Sequence, residues 1–130
     1  MTIPAYITRE YVRAHPEYKF VYSTNVFRTS MLGQASQCER EPNAFGIPVR
    51  FRFCKSNPSS YFHDTQIDML KEIIRKAIAD IPNDPRPTIV LSRIGCGASR
   101  MREYAPKTWE WMNEQLAAIC WPDITWDYNV

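Results

Sequence analysis

Apolar positions along the chain alternate between two periods. Lys19 to Ser23 (KFVYS) is a short aromatic and β-branched run, which predicts a buried strand, and Thr24-Asn25 behind it reads as a turn. Met31 to Arg40 fits a short helix that ends before Pro42-Asn43. Ile47 to Phe53 (IPVRFRF) alternates apolar residues with arginine, as a strand with one solvated face does. Ile67, Leu70, Ile74, Ala77, Ile78 and Ile81 then recur at helical spacing. Asp64 or Thr65 is placed to cap that helix, Asp68 puts negative charge in its first turn, and Pro82 stops it. A stiff connector (83–87) leads to a third strand, Thr88 to Leu91 (TIVL), and a loop from Ser92 to Ser99. Pro106 opens a last helix with Trp109, Met112, Leu116, Ile119 and Cys120 on one face; Pro122 ends it and Ile124 to Trp126 reads as a closing strand. The region up to Tyr18 has no clear period.

Strands alternating with helices predict a layered α/β domain. A length of 130 residues suits one domain, 1–130, with a real core. With 45% hydrophobic residues the chain is not a disordered one. Sixteen basic against 14 acidic residues leave a charge of +2, without the basic stripe of a nucleic-acid binder. Cys38, Cys54, Cys96 and Cys120 form no CxxC pair, and His15 and His63 are the two histidines, so no metal site is expected. The first ten residues do not read as a secretory signal, and free thiols in a cytoplasm are the expectation. No apolar run approaches the length of a membrane span, so no membrane partner is expected.

The chemistry collects after two of the strands. Of four glycines, Gly95 and Gly97 fall in Ile94-Gly95-Cys96-Gly97-Ala98, between TIVL and a helix. Ligands of α/β folds sit outside the carboxyl ends of strands, and glycine lets backbone N–H groups approach a phosphate. A helix start would add positive dipole, and Arg93, Arg100 and Arg102 surround the loop. The plainer reading is a tight turn with a solvated arginine rim. The second segment follows KFVYS: Asn25, with donors and an acceptor suited to a ribose or base edge, then Arg28, Gly33, Gln34 and Ala35. An Asx-turn at Asn25 is the plainer alternative. Cys96, on the glycine loop, is a candidate nucleophile only if a histidine such as His63 meets it; otherwise it is a small residue filling a turn.

In this order the segments resemble a family. TIVLSRIGCGASRMREYAPKTWEWM is similar to the last strand, phosphate loop and final helix of macro domains, whose loop runs roughly Pro-x-Ile-Gly-Thr/Cys-Gly. FVYSTN, then LGQA and EPNAFGIP, are similar to a group of small macro-like proteins, mostly from tailed bacteriophages, with the pattern FVFGDN, GKGGQA, EPNAxGIP. The resemblance implies a macro domain-like three-layer sandwich, a mixed sheet flanked by helices. It implies an ADP-ribose-like or cyclic-nucleotide ligand between two loops. Asn25 would contact the distal ribose, with Gly33, Gln34 and Ala35 in the first loop and Gly95, Cys96, Gly97 and Ala98 in the second. Ser23-Thr24 stand where that pattern has Gly-Asp, and Ser30-Met31-Leu32 where it is richer in glycine. Three functions follow: an ADP-ribose binder that removes ADP-ribose from macromolecules as a hydrolase, a non-catalytic phage sponge for a host nucleotide signal (an anti-defence role), or an interaction module without ligand. No cofactor is implied. Trp109 and Trp111 cannot share one helix face, so one of them is expected near the surface, where it could support a homodimer.

Overall fold

The computed structural model describes residues 4, 6–30, 33–52, 54, 56–91, 94–96 and 99–118, and the backbone of 125–126. Ile119, Cys120 and Pro122 of the expected last helix lie outside these. Four strands form one sheet among the described residues: β1 (Lys19–Asn25), β2 (Ala44–Arg50), β3 (Thr88–Val90) and β4 (Thr125–Trp126). Their order is β2-β1-β3-β4 and every strand pairing is parallel. The expected mixed sheet is therefore a parallel one here; the antiparallel pairing among the described residues is a single bridge between Arg50 and Tyr61. Each parallel step needs a crossover, and the helices α1 (Arg9–Ala14), α2 (Gly33–Cys38), α3 (Ile67–Ala79), α4 (Met101–Tyr104) and α5 (Pro106–Ala118) supply them or flank them.

Side-chain alternation along β1 splits the core in two. Phe20 and Tyr22 join Ile89, Leu91, Ile7, Val12 and Cys38 on the α1/α2 side. Val21 joins Val90, Ile47 and Val49 on the other side, against Leu70, Ile74 and Ala77 of α3 and Met112 and Leu116 of α5. Helices thus cover both faces, which makes three layers. Burying a leucine or isoleucine of this kind contributes about 2 kcal/mol over leaving it exposed.

Strand boundaries moved where pairing outweighs propensity. Ala44, Phe45 and Gly46 extend β2 because they lie in register with Phe20, Val21 and Tyr22. The strand stops at Arg50, short of the expected Phe53, because Phe51 N–H turns to the Ser60 carbonyl at 2.8 Å. Pro48, with no N–H to donate, is tolerated opposite Thr24. Thr24 and Asn25, expected in a turn, still belong to β1, with an irregularity between them. α2 is shorter than expected and Arg40 closes it at φ +68°.

The segment without a clear period is docked. Gln34 pairs through both ends of its amide with the Ile7 backbone, at 2.9 and 2.5 Å. Gln37 accepts Arg9 N–H, and the Arg9 guanidinium reaches the Ser36 and Glu39 carbonyls. Asn43 donates to the Val12 and His15 carbonyls, both at 3.0 Å, and Glu41 takes Arg13.

Asp64 does not cap the helix that follows it. It opens a 3-10 turn, and its carboxylate accepts Lys107 N–H at 3.0 Å and Thr108 N–H at 2.9 Å, in the first turn of α5. Burial alone would raise the Asp64 pKa; these N–H donors and the Thr108 hydroxyl outweigh it and hold it below the usual carboxylate range. Its stabilisation is therefore complete above the unfolded pKa, about 4, and is lost as pH falls through the lower folded value. Asp64→Ala is expected to cost about 1–2 kcal/mol at pH 7 in chemical denaturation. The difference from wild type should shrink toward pH 3, and a constant difference would mean that the carboxylate charge contributes nothing.

Candidate functional site

β1 leads into α2 on one face of the sheet, while β3 leads toward α4 and α5 on the other. This follows from handedness: the chain steps from β1 to β2 in one direction and from β2 across to β3 in the other, so right-handed crossovers fall on opposite faces. The carboxyl ends of β1 and β3 therefore diverge, and such a switch point is where α/β sheets open a crevice. The second of the loops singled out in the sequence touches the end of β1 there. Gly95 N–H donates to Ser23 Oγ at 3.4 Å.

The second loop is shaped by its glycine. Gly95 has φ +85°, and a Cβ at that position would lie 2.6 Å from Trp109 Cδ1. Trp109 is held by its indole N–H, which donates to the Ile94 carbonyl at 3.1 Å, and Arg102 lies 5.5 Å above its ring. Ile94 is buried in the core and Cys96 is half-buried. Arg100, itself at φ +50°, pairs with Glu103 at 3.9 Å and both are exposed. Gly95, Cys96, Arg100, Arg102 and Glu103 line a cleft of about 270 Å³. Gly97 and Ala98, and with them Arg93, lie outside the described residues. The helix expected to point its dipole at this loop is α4, a single turn of four residues. The long helix α5 begins five residues after α4 does, at Pro106, and spends its first N–H groups on Asp64. Positive charge at the cleft thus comes from arginine side chains.

The first loop is built differently from the expectation. Asn25 is 1% exposed, and its Oδ1 accepts the Thr29 N–H at 3.2 Å and hydroxyl at 3.3 Å. Its backbone carbonyl accepts Arg28 N–H at 3.0 Å. Asn25 therefore braces the loop from within, close to the Asx-turn alternative, and its acceptor is not turned to a ribose. Gln34, with both amide ends on Ile7, is likewise occupied. Gly33 starts α2 at φ +68° with open space around it, and Ala35 packs against the α1/α2 core cluster. Arg28, at φ +53°, faces solvent together with its neighbours Phe27 and Thr29.

A cysteine nucleophile is not assembled among the described residues. His63 gives Nε2 to the Pro58 carbonyl at 3.0 Å and packs on Tyr104. Burial, followed by the charge of Glu39, pushes the Cys38 thiol up to about 12, so it stays protonated. Trp111, the candidate surface aromatic, is half-buried and lies under Lys71 and Arg75 of α3.

Sequence reasoning missed Ser23, Trp109 and Glu39. The only available signal for Glu39 was the charged run Glu39-Arg40-Glu41 behind a short helix, which reads equally well as a solvated end. In the structure Glu39 is 7% exposed and faces Thr24, whose hydroxyl donates to its Oε1. No helix among the described residues is long and apolar enough to cross a membrane. Residues 2–115 match a family of unknown function, DUF7831. No curated protein and no solved structure matches the chain.

Proposed function

The chain belongs to DUF7831, a family of unknown function, and we propose that it binds a nucleotide-like anion of the ADP-ribose class at the carboxyl ends of β1 and β3. The observation that carries this reading is the cleft beside the second loop at the switch point, where Gly95 is tied to Ser23 at the end of β1. Backbone at Gly95 and Cys96 and the guanidiniums of Arg100 and Arg102 line one cleft there. Gly95 N–H is given to Ser23, so the guanidiniums of Arg100 and Arg102 are the donors this reading offers to phosphate oxygens. A volume of about 270 Å³ suits a diphosphate better than a whole dinucleotide. The nucleoside ends would extend into solvent.

The order FVYSTN, LGQA, EPNAFGIP, IGCG supports a macro-like relationship, and three layers are compatible with it. Gln34 and Asn43 of these motifs are spent on docking α1, so the ligand contacts in this reading shift to the second loop. The functional core of the proposal is binding; hydrolysis of an ADP-ribosyl bond and sequestration of a nucleotide signal are its two continuations.

Calorimetric titration with ADP-ribose tests it. Wild type should bind at micromolar concentration, and Arg100→Glu should weaken binding at least tenfold, since a charge-assisted hydrogen bond is worth about 1.5–3 kcal/mol. Arg100 is exposed, so its thermal stability should be unchanged. Equal affinities for the two proteins would remove the cleft from the reading. Mass spectrometry of the recovered ligand then separates turnover from sequestration.

A further inference from the structure

Two hollows open on the α2 side of β1, and neither shares a residue with the cleft at Gly95. One, of about 370 Å³, has Tyr22, Phe27, Glu41 and Ala44 in its wall. The other, of about 440 Å³, has Arg9, Thr29, Ser30 and Ser36. Arg28, Glu39 and Arg40 belong to the walls of both.

The charges of this region do not cancel. Glu41 is taken by Arg9 at 3.4 Å and by Arg13. Glu39 is buried and turned inward, with the Thr24 hydroxyl on its Oε1 and the Tyr22 side chain beside it. The guanidiniums of Arg28 and Arg40 are exposed and have no carboxylate or carbonyl partner among the described residues. Four guanidiniums thus accompany two carboxylates, and the excess sits on Arg28 and Arg40. The hydroxyls of Thr29 and Ser36 are given to Asn25 Oδ1 and the Gly33 carbonyl, so the arginines are the donors on offer to a ligand.

The backbone singles out the same two residues. Three residues other than glycine have positive φ among the described residues, and all three are arginines: Arg28 at +53°, Arg40 at +68° and Arg100 at +50°. A long side chain gains nothing from this conformation, which glycine adopts freely. Arg40 follows the end of α2, where glycine is the common residue. Arg28 turns the chain after β1 through its own N–H on the Asn25 carbonyl, a bond that glycine would make equally well. Strained residues of this kind persist where their side chain has a use.

We infer that Arg28 and Arg40 form a second anion site, which takes the phosphate group of a small organic phosphate whose body lies beside Phe27. Planar guanidinium forks match phosphate oxygens, and Phe27, 67% exposed, offers a ring face. Glu39 takes no part in binding. The site goes beyond the cleft at Gly95 and does not rest on it.

Titration of the full chain with phenyl phosphate and with inorganic phosphate at fixed ionic strength, read by phosphorus NMR, tests the inference. Wild type should bind phenyl phosphate, at least threefold more tightly than inorganic phosphate. Arg28→Gly and Arg40→Gly should each weaken phenyl phosphate at least fivefold while the thermal midpoint holds or rises, since glycine suits the φ at both positions. Arg100→Glu should leave this affinity unchanged. Absence of phenyl phosphate binding to wild type, or unchanged affinity in either glycine variant, overturns the inference. Equal affinity for the two probes removes the hollow beside Phe27 from the site and overturns the assignment to an organic phosphate. A lower midpoint in either glycine variant would mean that the fold itself holds that arginine, and overturns it as well. Loss of binding in Arg100→Glu would move the phosphate to the cleft at Gly95, with the same consequence.

Discussion

Gly95→Val is expected to lower stability by about 3 kcal/mol and to abolish anion binding at the cleft. Two costs combine. A β-branched residue at φ +85° is a conformational outlier, worth about 1–2 kcal/mol. The new Cβ would also sit 2.6 Å from Trp109 Cδ1, so the indole must move. That ring cannot move alone: its N–H holds the Ile94 carbonyl and Arg102 lies on its face. Displacing it leaves a carbonyl unpaired, about 1 kcal/mol or more, and carries Arg102 away from the cleft. Thermal denaturation should show a midpoint about 10 °C lower. A change below about 2 °C with intact ADP-ribose binding would sink the argument that Gly95 sets the loop.

Lys19→Ala is expected to be the most destabilising exchange, at about 3–5 kcal/mol. Lys19 is fully buried. Its ammonium donates to the Pro82 carbonyl at 2.7 Å and the Asp84 carbonyl at 3.2 Å, and lies 3.5 Å from Asp84 Oδ1. Removal leaves two carbonyls without a donor, opens a void beneath β1 and frees the connector that brings α3 back to β3. The Asp84 carboxyl is held well below the usual carboxylate range, first by the Arg86 side chain and then by Arg86 N–H and the Lys19 charge, against an opposing desolvation effect. A depressed folded pKa gives stability that is present above about pH 4 and lost on acidification. Lys19→Ala should therefore also flatten the acid limb below pH 4, which urea midpoints at pH 7, 4 and 3 would read. Lys19→Met, filling the void without the charge, should recover part of the loss. Wild-type stability in Lys19→Ala would refute a structural role for the buried ammonium.

Much of the element order was legible because α3, β1 and β3 carry strong local periods. The 3.6-residue repeat from Ile67 to Ala77 and the run TIVL leave few alternatives, and both appear within a residue or two of expectation. α1 was not legible, because Arg9 to Ala14 offers only Val12 to the core. Its helix is held instead by hydrogen bonds from Gln34, Gln37 and Asn43, contacts some 27–31 residues away in the chain. The same contacts explain why Gln34 and Asn43 read as ligand or turn residues: an amide is as suited to a backbone as to a ribose.

The chain alone thus determined the α/β class, the place of the strands and the two loops worth inspecting, since hydrophobic period and glycine position are local properties. What only the tertiary structure decided was which polar groups those loops have left to offer. The Asn25 side-chain oxygen and the Gln34 amide are taken up internally, Asp64 caps a helix 42 residues downstream of itself at Pro106, and Glu39 keeps a buried oxygen without a donor among the described residues. Hydrogen-bond satisfaction is a sum over neighbours in space, and a linear pattern of residue types carries no record of it.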